Sequence, residues 1–267
     1  MKNYLIKIFL IVALINSSCA GQTISCQQST PIKEKITDAR IIPYKSFAYI
    51  ELLTQKISSC NTTQCLPIKK IYFASGVFVY RSSKDSNVGF LMTAKHLCSH
   101  KNETSIFTVY DYYGIQHHAD YYFNSAVADV CILVIKDMSP NIDISLLAKS
   151  MPEVGSRTFN VSAPKKYFNP GAALIFEGIY SGFINNDKSI FTIPTMSGSS
   201  GSPVFNDQGQ LIAMIVAFPM QQYTEGKYIN KTRVVESLGI AESLSTLKIM
   251  YDSLVTVDEI FGFDLFH

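Results

Sequence analysis

Thr195-Met196-Ser197-Gly198-Ser199-Ser200-Gly201-Ser202-Pro203 is a glycine- and serine-rich loop. It lies between an apolar run at 173–176 and another at 211–216. Gly, Ser and Pro mark turns everywhere, so alone the stretch reads equally well as a surface turn. It also reads as a nucleophile loop: Ser200 offers a hydroxyl, and Gly198 leaves its backbone N–H free to face a developing oxyanion. Partners elsewhere in the chain decide between the two.

A serine hydroxyl needs a base to take its proton, and the base needs an acid to fix its tautomer. Thr93-Ala94-Lys95-His96 places a histidine where an apolar run ends. Asp129 stands at the mouth of the apolar run Val130-Cys131-Ile132-Leu133-Val134-Ile135. A carboxylate there is costly to bury without a partner. Each residue alone has an ordinary reading, a surface histidine and a turn aspartate. Jointly, Thr-Ala-x-His, then Asp before an apolar run, then Gly-x-Ser-Gly-x-Pro has few ordinary explanations.

On those three motifs the chain resembles a trypsin-like serine protease of the chymotrypsin fold. It is closer in style to secreted bacterial, phage and high-temperature-requirement types than to digestive enzymes. The resemblance covers roughly residues 47–254, in the family's order His, Asp, Ser. It implies an all-β chain of two packed six-stranded antiparallel β-barrels, here followed by a C-terminal helix. It implies His96 as base then acid, Asp129 as its orienting acid, and Ser200 as nucleophile. Gly198 and Ser200 would supply the oxyanion hole, where one lost donor costs about 3 kcal/mol. By the same resemblance the substrate pocket takes Pro194, Thr195 and Val216 as walls, and no metal or cofactor is needed. If the triad gathers, Cys98 and Cys131 are drawn together, and a disulfide between them is expected.

The departures carry information. Animal members place Asp directly before the nucleophile to pair with a newly cut N-terminus; Ser199 stands there, so that activation device is missing. Lys95 and Ser202 replace small residues of the motifs tolerably. Pro194 occupies the pocket base, and neither 194–196 nor 214–218 holds a charge. A Lys or Arg side chain would lack a partner there, so cleavage after small or aliphatic residues is expected. Glu225 is the nearby acid able to alter that preference.

From the residues alone, the rest of the chain also reads as β. Short runs rich in aromatic and β-branched residues recur at 47–53, 71–80, 88–94, 105–110, 119–123, 130–135, 157–161, 173–176, 178–184 and 189–193. Gly, Pro and Asn turns between them indicate a barrel or a sandwich. A helical period appears only at 245–254. The lobes are expected at about 46–138 and 150–240, with 255–267 as a tail.

The N-terminus resembles an export signal. Lys2 and Lys7 precede an apolar run at 8–15 too short to span a bilayer, and Ser18-Cys19-Ala20 suits cleavage before Gly21. Lipidation of Cys19 is the less favoured alternative, because Asn16 stands where lipoprotein signals place Leu. Residues 21–45 read as a polar leader. The chain has 23 basic and 21 acidic side chains; loss of two lysines leaves 21 of each, a formal charge of zero. That excludes the basic footprint of a nucleic-acid binder. A secreted or periplasmic location permits disulfides, and Cys60 and Cys65 suit a hairpin-tip bridge, leaving Cys26 over.

Three other readings weigh less. His117 and His118, adjacent on a strand, face opposite sides and make a poor metal site. An α/β-hydrolase elbow needs Gly where Ser202 stands, and a later histidine where only His267 is available. The rival of another class is a catalytically silent pseudoprotease that binds protein without turnover.

Overall fold

The computed structural model describes residues 42–57, 67–99, 104–185, 187–225, 229–234 and 237–261. The export signal, Cys19, Cys26, most of the leader and the Cys60–Cys65 pair lie outside them.

Two closed six-stranded antiparallel barrels form the molecule. The first uses β1 (Phe47–Ile57), β2 (Pro67–Arg81), β3 (Gly89–Thr93), β4 (Thr104–Tyr110), β5 (Gln116–Asn124) and β6 (Cys131–Ile135). They are joined in the order β1-β2-β3-β6-β5-β4, and pairing of β1 with β4 closes the ring. The second uses β7 (Arg157–Ser162), β8 (Leu174–Phe183), β9 (Lys188–Phe191), β10 (Pro203–Phe205), β11 (Leu211–Ala217) and β14 (Gly239–Ser243), ordered β10-β11-β14-β9-β8-β7. A separate hairpin of β12 (Met220–Glu225) and β13 (Ile229–Val234) stands beside them.

The apolar runs behave as their composition requires. Every residue of β3 and β6 is buried, because these strands are sealed by the barrel interior on one side and by neighbouring structure on the other. β5 alternates instead: His117 is buried and His118 exposed, so one face meets the core and one meets water. Bulges interrupt β2 at Phe78/Tyr80, β5 at Tyr121/Phe123 and β11 at Ile215/Ala217. Extra residues of this kind bend a strand sharply enough to close a small barrel.

Several boundaries differ from the sequence reading. The runs at 173–176 and 178–184 are one strand, β8, and its Ile175, Ile179 and Phe183 are exposed rather than buried. Within that strand Gly178 packs closely, where a Cβ would lie 2.5 Å from Ile193 Cγ1, while Gly182, at φ +115°, lies at a register shift against β9. β14 carries no strong alternation and was not foreseen. The single turn Lys95–Cys98 (α1) follows β3, and the C-terminal helix α2 spans Leu244–Phe261 instead of ending at residue 254. Asp258, fully buried, explains the extension: its carboxylate accepts hydrogen bonds from Tyr80 Oη, Ser82 Oγ and the Ser83 N–H of barrel one. A polar anchor of that kind leaves no trace in an apolar period.

Candidate active site

Strand register brings His96 and Asp129 together. β3 and β6 run antiparallel with Thr93 opposite Cys131. His96 lies three residues past the end of β3 and Asp129 two residues before β6 begins, so both emerge from the same barrel mouth. The Asp129 carboxylate grips His96 twice: Oδ1 accepts the His96 backbone N–H at 2.8 Å, and Oδ2 meets Nδ1 at 2.7 Å. An ionised carboxylate only accepts, so Nδ1 must carry the proton and Nε2 is left as the basic nitrogen. Burial pushes the Asp129 carboxyl up, but its hydrogen bonds to His96 and the nearby Lys188 charge hold it below the usual range. The acid is therefore ionised throughout the neutral range. Cys98, on α1, is disulfide-bonded to Cys131 with Cα atoms 6.6 Å apart, which staples the histidine turn to the aspartate strand.

Ser200 is carried to the same place by the other barrel. Its carbonyl accepts the Ser75 N–H at 2.8 Å, while the Ser75 carbonyl accepts the Thr93 hydroxyl at 2.8 Å. Gly201 is pressed so closely here that a Cβ would lie 2.1 Å from the Ser75 oxygen and 2.4 Å from Thr93 Oγ1. The loop thus rests directly on the residue three before His96. Ser199 and Ser202 are buried and committed to structure: Ser199 Oγ accepts the Met196 N–H and Ser202 Oγ accepts Asn160 Nδ2. Ser200 is half-buried and open to solvent. Among the described residues no hydrogen bond joins its hydroxyl to the His96 ring.

Two peptide groups beside Ser200 are fixed through their carbonyls. Ser197 C=O accepts the Lys165 N–H at 2.7 Å, and Ser199 C=O accepts the Ser202 N–H at 3.0 Å. In a trans peptide the N–H points opposite to the C=O, so the Gly198 and Ser200 N–H groups face away from those partners. Among the described residues neither donates elsewhere. Gly198 adopts φ +96°, and a Cβ on it would lie 2.7 Å from the Ala163 carbonyl. The segment supporting it is itself in the left-handed region, at Lys165 (φ 51°) and Lys166 (φ 69°), a costly backbone for non-glycine residues.

Of the expected pocket residues, Thr195 is fully buried with its hydroxyl donated to Leu238 C=O at 2.6 Å, Val216 is buried, and Pro194 is half-buried. Gly239 packs against Thr195, where a Cβ would meet Thr195 Cγ2 at 2.9 Å. The Glu225 side chain lies outside the described residues. His117 and His118 do not share a site: His117 sits between Asp111 and Asp137, and His118 pairs with Asp120 on the surface.

Sequence reasoning missed Ser75 and Glu242. Ser75 Oγ donates to Gly198 C=O at 2.9 Å and accepts the Ala163 N–H at 3.1 Å, tying three segments together. Its signal, a serine within an otherwise apolar strand, is faint. Glu242 accepts the Asp129 N–H and had no signal at all.

Residues 74–214, more than half of the chain, match the sequence profile of a trypsin-like peptidase domain. A sequence comparison with curated proteins finds no match. Among solved structures, the HtrA-type protease AlgW in a Ser-to-Ala form with a decapeptide aligns with TM-score 0.61 at 14% identity. The alignment covers 81% of this chain and 64% of that one. A serine endoprotease from Yersinia pestis aligns with TM-score 0.56 at 15% identity, covering 80% of this chain and 64% of that one. The chain spans a little under two thirds of these structures' length, and at such identities the likeness is one of fold.

Proposed function

The chain belongs to the trypsin-like peptidase domain family, a family of serine-type endopeptidases, and from that premise we propose that it is an exported endopeptidase working through His96, Asp129 and Ser200. The observation that carries the reading is the double hydrogen bond from Asp129 to His96, which leaves Nε2 as a base at the barrel mouth where the Ser200 loop is pressed. Ser200 Oγ attacks the scissile carbonyl while Nε2 takes its proton. The carbonyl oxygen, now an oxyanion, is received by the Gly198 and Ser200 N–H groups. His96 then returns the proton to the departing amine, and an acyl-enzyme remains. Water, deprotonated by the same nitrogen, attacks the ester; the acid leaves and Ser200 regains its proton. The absence of a charged side chain at 194–196 and 214–218 supports cleavage after small or aliphatic residues. Export to a secreted or periplasmic location rests on the sequence of residues 1–20.

A fluorophosphonate probe should label the wild-type protein at Ser200, and Ser200→Ala should lower peptide turnover by about 10⁴-fold or more. Failure of labelling in folded protein favours the silent, binding-only alternative. The same assay on peptides ending in Val, Leu or Arg tests the pocket, and faster cleavage after Arg would reverse the preference.

A further inference from the structure

A second carboxylate stands behind the first. Glu242 lies on β14 of barrel two, fully buried, and its Oε1 accepts the backbone N–H of Asp129 at 2.6 Å. The same Oε1 is paired with the Lys188 ammonium, and the β9–β14 register sets Lys188 directly opposite Glu242. Its other oxygen, Oε2, is buried without a hydrogen-bond partner. An ionised side chain is expensive to hold in such a place. A neutral acceptor could take the same N–H, with a weaker bond and no charge to bury.

The geometry fits a task that needs charge and position together. The Asp129 carboxylate must stay ionised and aimed at Nδ1; barrel one holds its loop through Ser125 and the Cys98–Cys131 disulfide, but the Asp129 N–H itself is held from barrel two. Glu242 clamps that loop from the opposite barrel. A bare second carboxylate beside Asp129 would oppose its ionisation; the paired Lys188 ammonium offsets that field. We propose that Glu242, neutralised by Lys188, is a positioning residue that holds Asp129 against His96 across the barrel interface. The proposal rests on the His96–Asp129–Ser200 reading and extends the chain of contacts to Lys188–Glu242–Asp129–His96.

Three variants test it in the full-length protein: Glu242→Gln, Glu242→Gln with Lys188→Met, and Glu242→Ala. Gln keeps the oxygen that accepts the Asp129 N–H, and its amide nitrogen replaces an oxygen that has no donor to lose. Lys188 is then left uncompensated, and its charge disfavours the imidazolium. The His96 titration, followed by ring NMR, should move down by roughly half a pH unit, a ~threefold change in proton binding. The acid limb of kcat/KM should follow it. Adding Lys188→Met should return both to the wild-type position. Glu242→Ala removes the clamp and should lower kcat by about tenfold with little change in KM, while Gln retains most of it. An unmoved His96 titration in Glu242→Gln, or the same titration in the single and double variants, overturns the proposal. The NMR readout needs no turnover. A shifted His96 in a protein that hydrolyses nothing would therefore sink the protease reading and leave the clamp standing.

Discussion

Gly198 shows how narrowly one residue is determined here. Its φ of +96° lies where side chains are strained, and a Cβ would strike the Ala163 carbonyl at 2.7 Å. Gly198→Ala should rotate the peptide that aims the N–H toward the nucleophile. We expect kcat to fall by about 10²–10³-fold with the fold intact, checked by peptide hydrolysis beside circular dichroism. At this scale the motifs around His96, Asp129, Ser200 and Gly198 stand out in the sequence, each within a few residues. Ser75 and Glu242 were not. Each acts through a partner more than a hundred positions away, and only strand register says which residues meet.

Elements were read with uneven success for related reasons. β3 and β6 announced themselves as continuous apolar runs, because they are buried on both faces. β8 reads in the sequence as two separate runs, and its exposed Ile and Phe residues suggest burial. α2 outran its apolar period because Asp258 fixes its last turns to Tyr80, Ser82 and Ser83. Removing that acceptor leaves several buried donors without a partner. Asp258→Ala should cost about 2–4 kcal/mol, seen as a Tm lower by roughly 4–16 °C. An unchanged Tm would mean that the helix is held by its apolar face alone.

At the scale of the whole molecule, the barrels are joined by more than the active-site loops. The turn between β4 and β5 reaches barrel two, where Tyr112 C=O accepts the Gly171 N–H at 2.8 Å and Tyr112 Oη donates to Gly171 C=O at 2.6 Å. Asp111 anchors that turn by accepting the Tyr113 and Ile115 N–H groups, and its other oxygen meets buried His117, which also faces Asp137. Burial pulls the His117 imidazole down, but the two carboxylates more than reverse this and raise it above its usual value. A group raised on folding stabilises fully below its unfolded pKa of about 6.5 and loses that contribution as pH rises through the folded value. Thermal stability should therefore decline as pH rises above about 6.5, and His117→Asn should flatten that dependence. A variant with the same slope as wild type would assign it to other groups. The two-barrel plan itself was legible through the motif resemblance, whereas strand rhythm alone left barrel and sandwich open. This clasp was invisible, since nothing in the sequence says that residues 112 and 171 touch.

The division of labour between the barrels also sets a schedule. His96, Asp129 and the Cys98–Cys131 staple all belong to the first barrel, whose last strand ends at Ile135. Ser200 and its supporting carbonyls come from the second, and Glu242 later still. On the triad reading, a chain emerging from the ribosome acquires acid and base well before it has any nucleophile. Even after Ser200 emerges, the Gly201 N–H has no acceptor until Ile215 of β11 follows. On that reading, acid, base and nucleophile meet only once strands of the second barrel have followed the first.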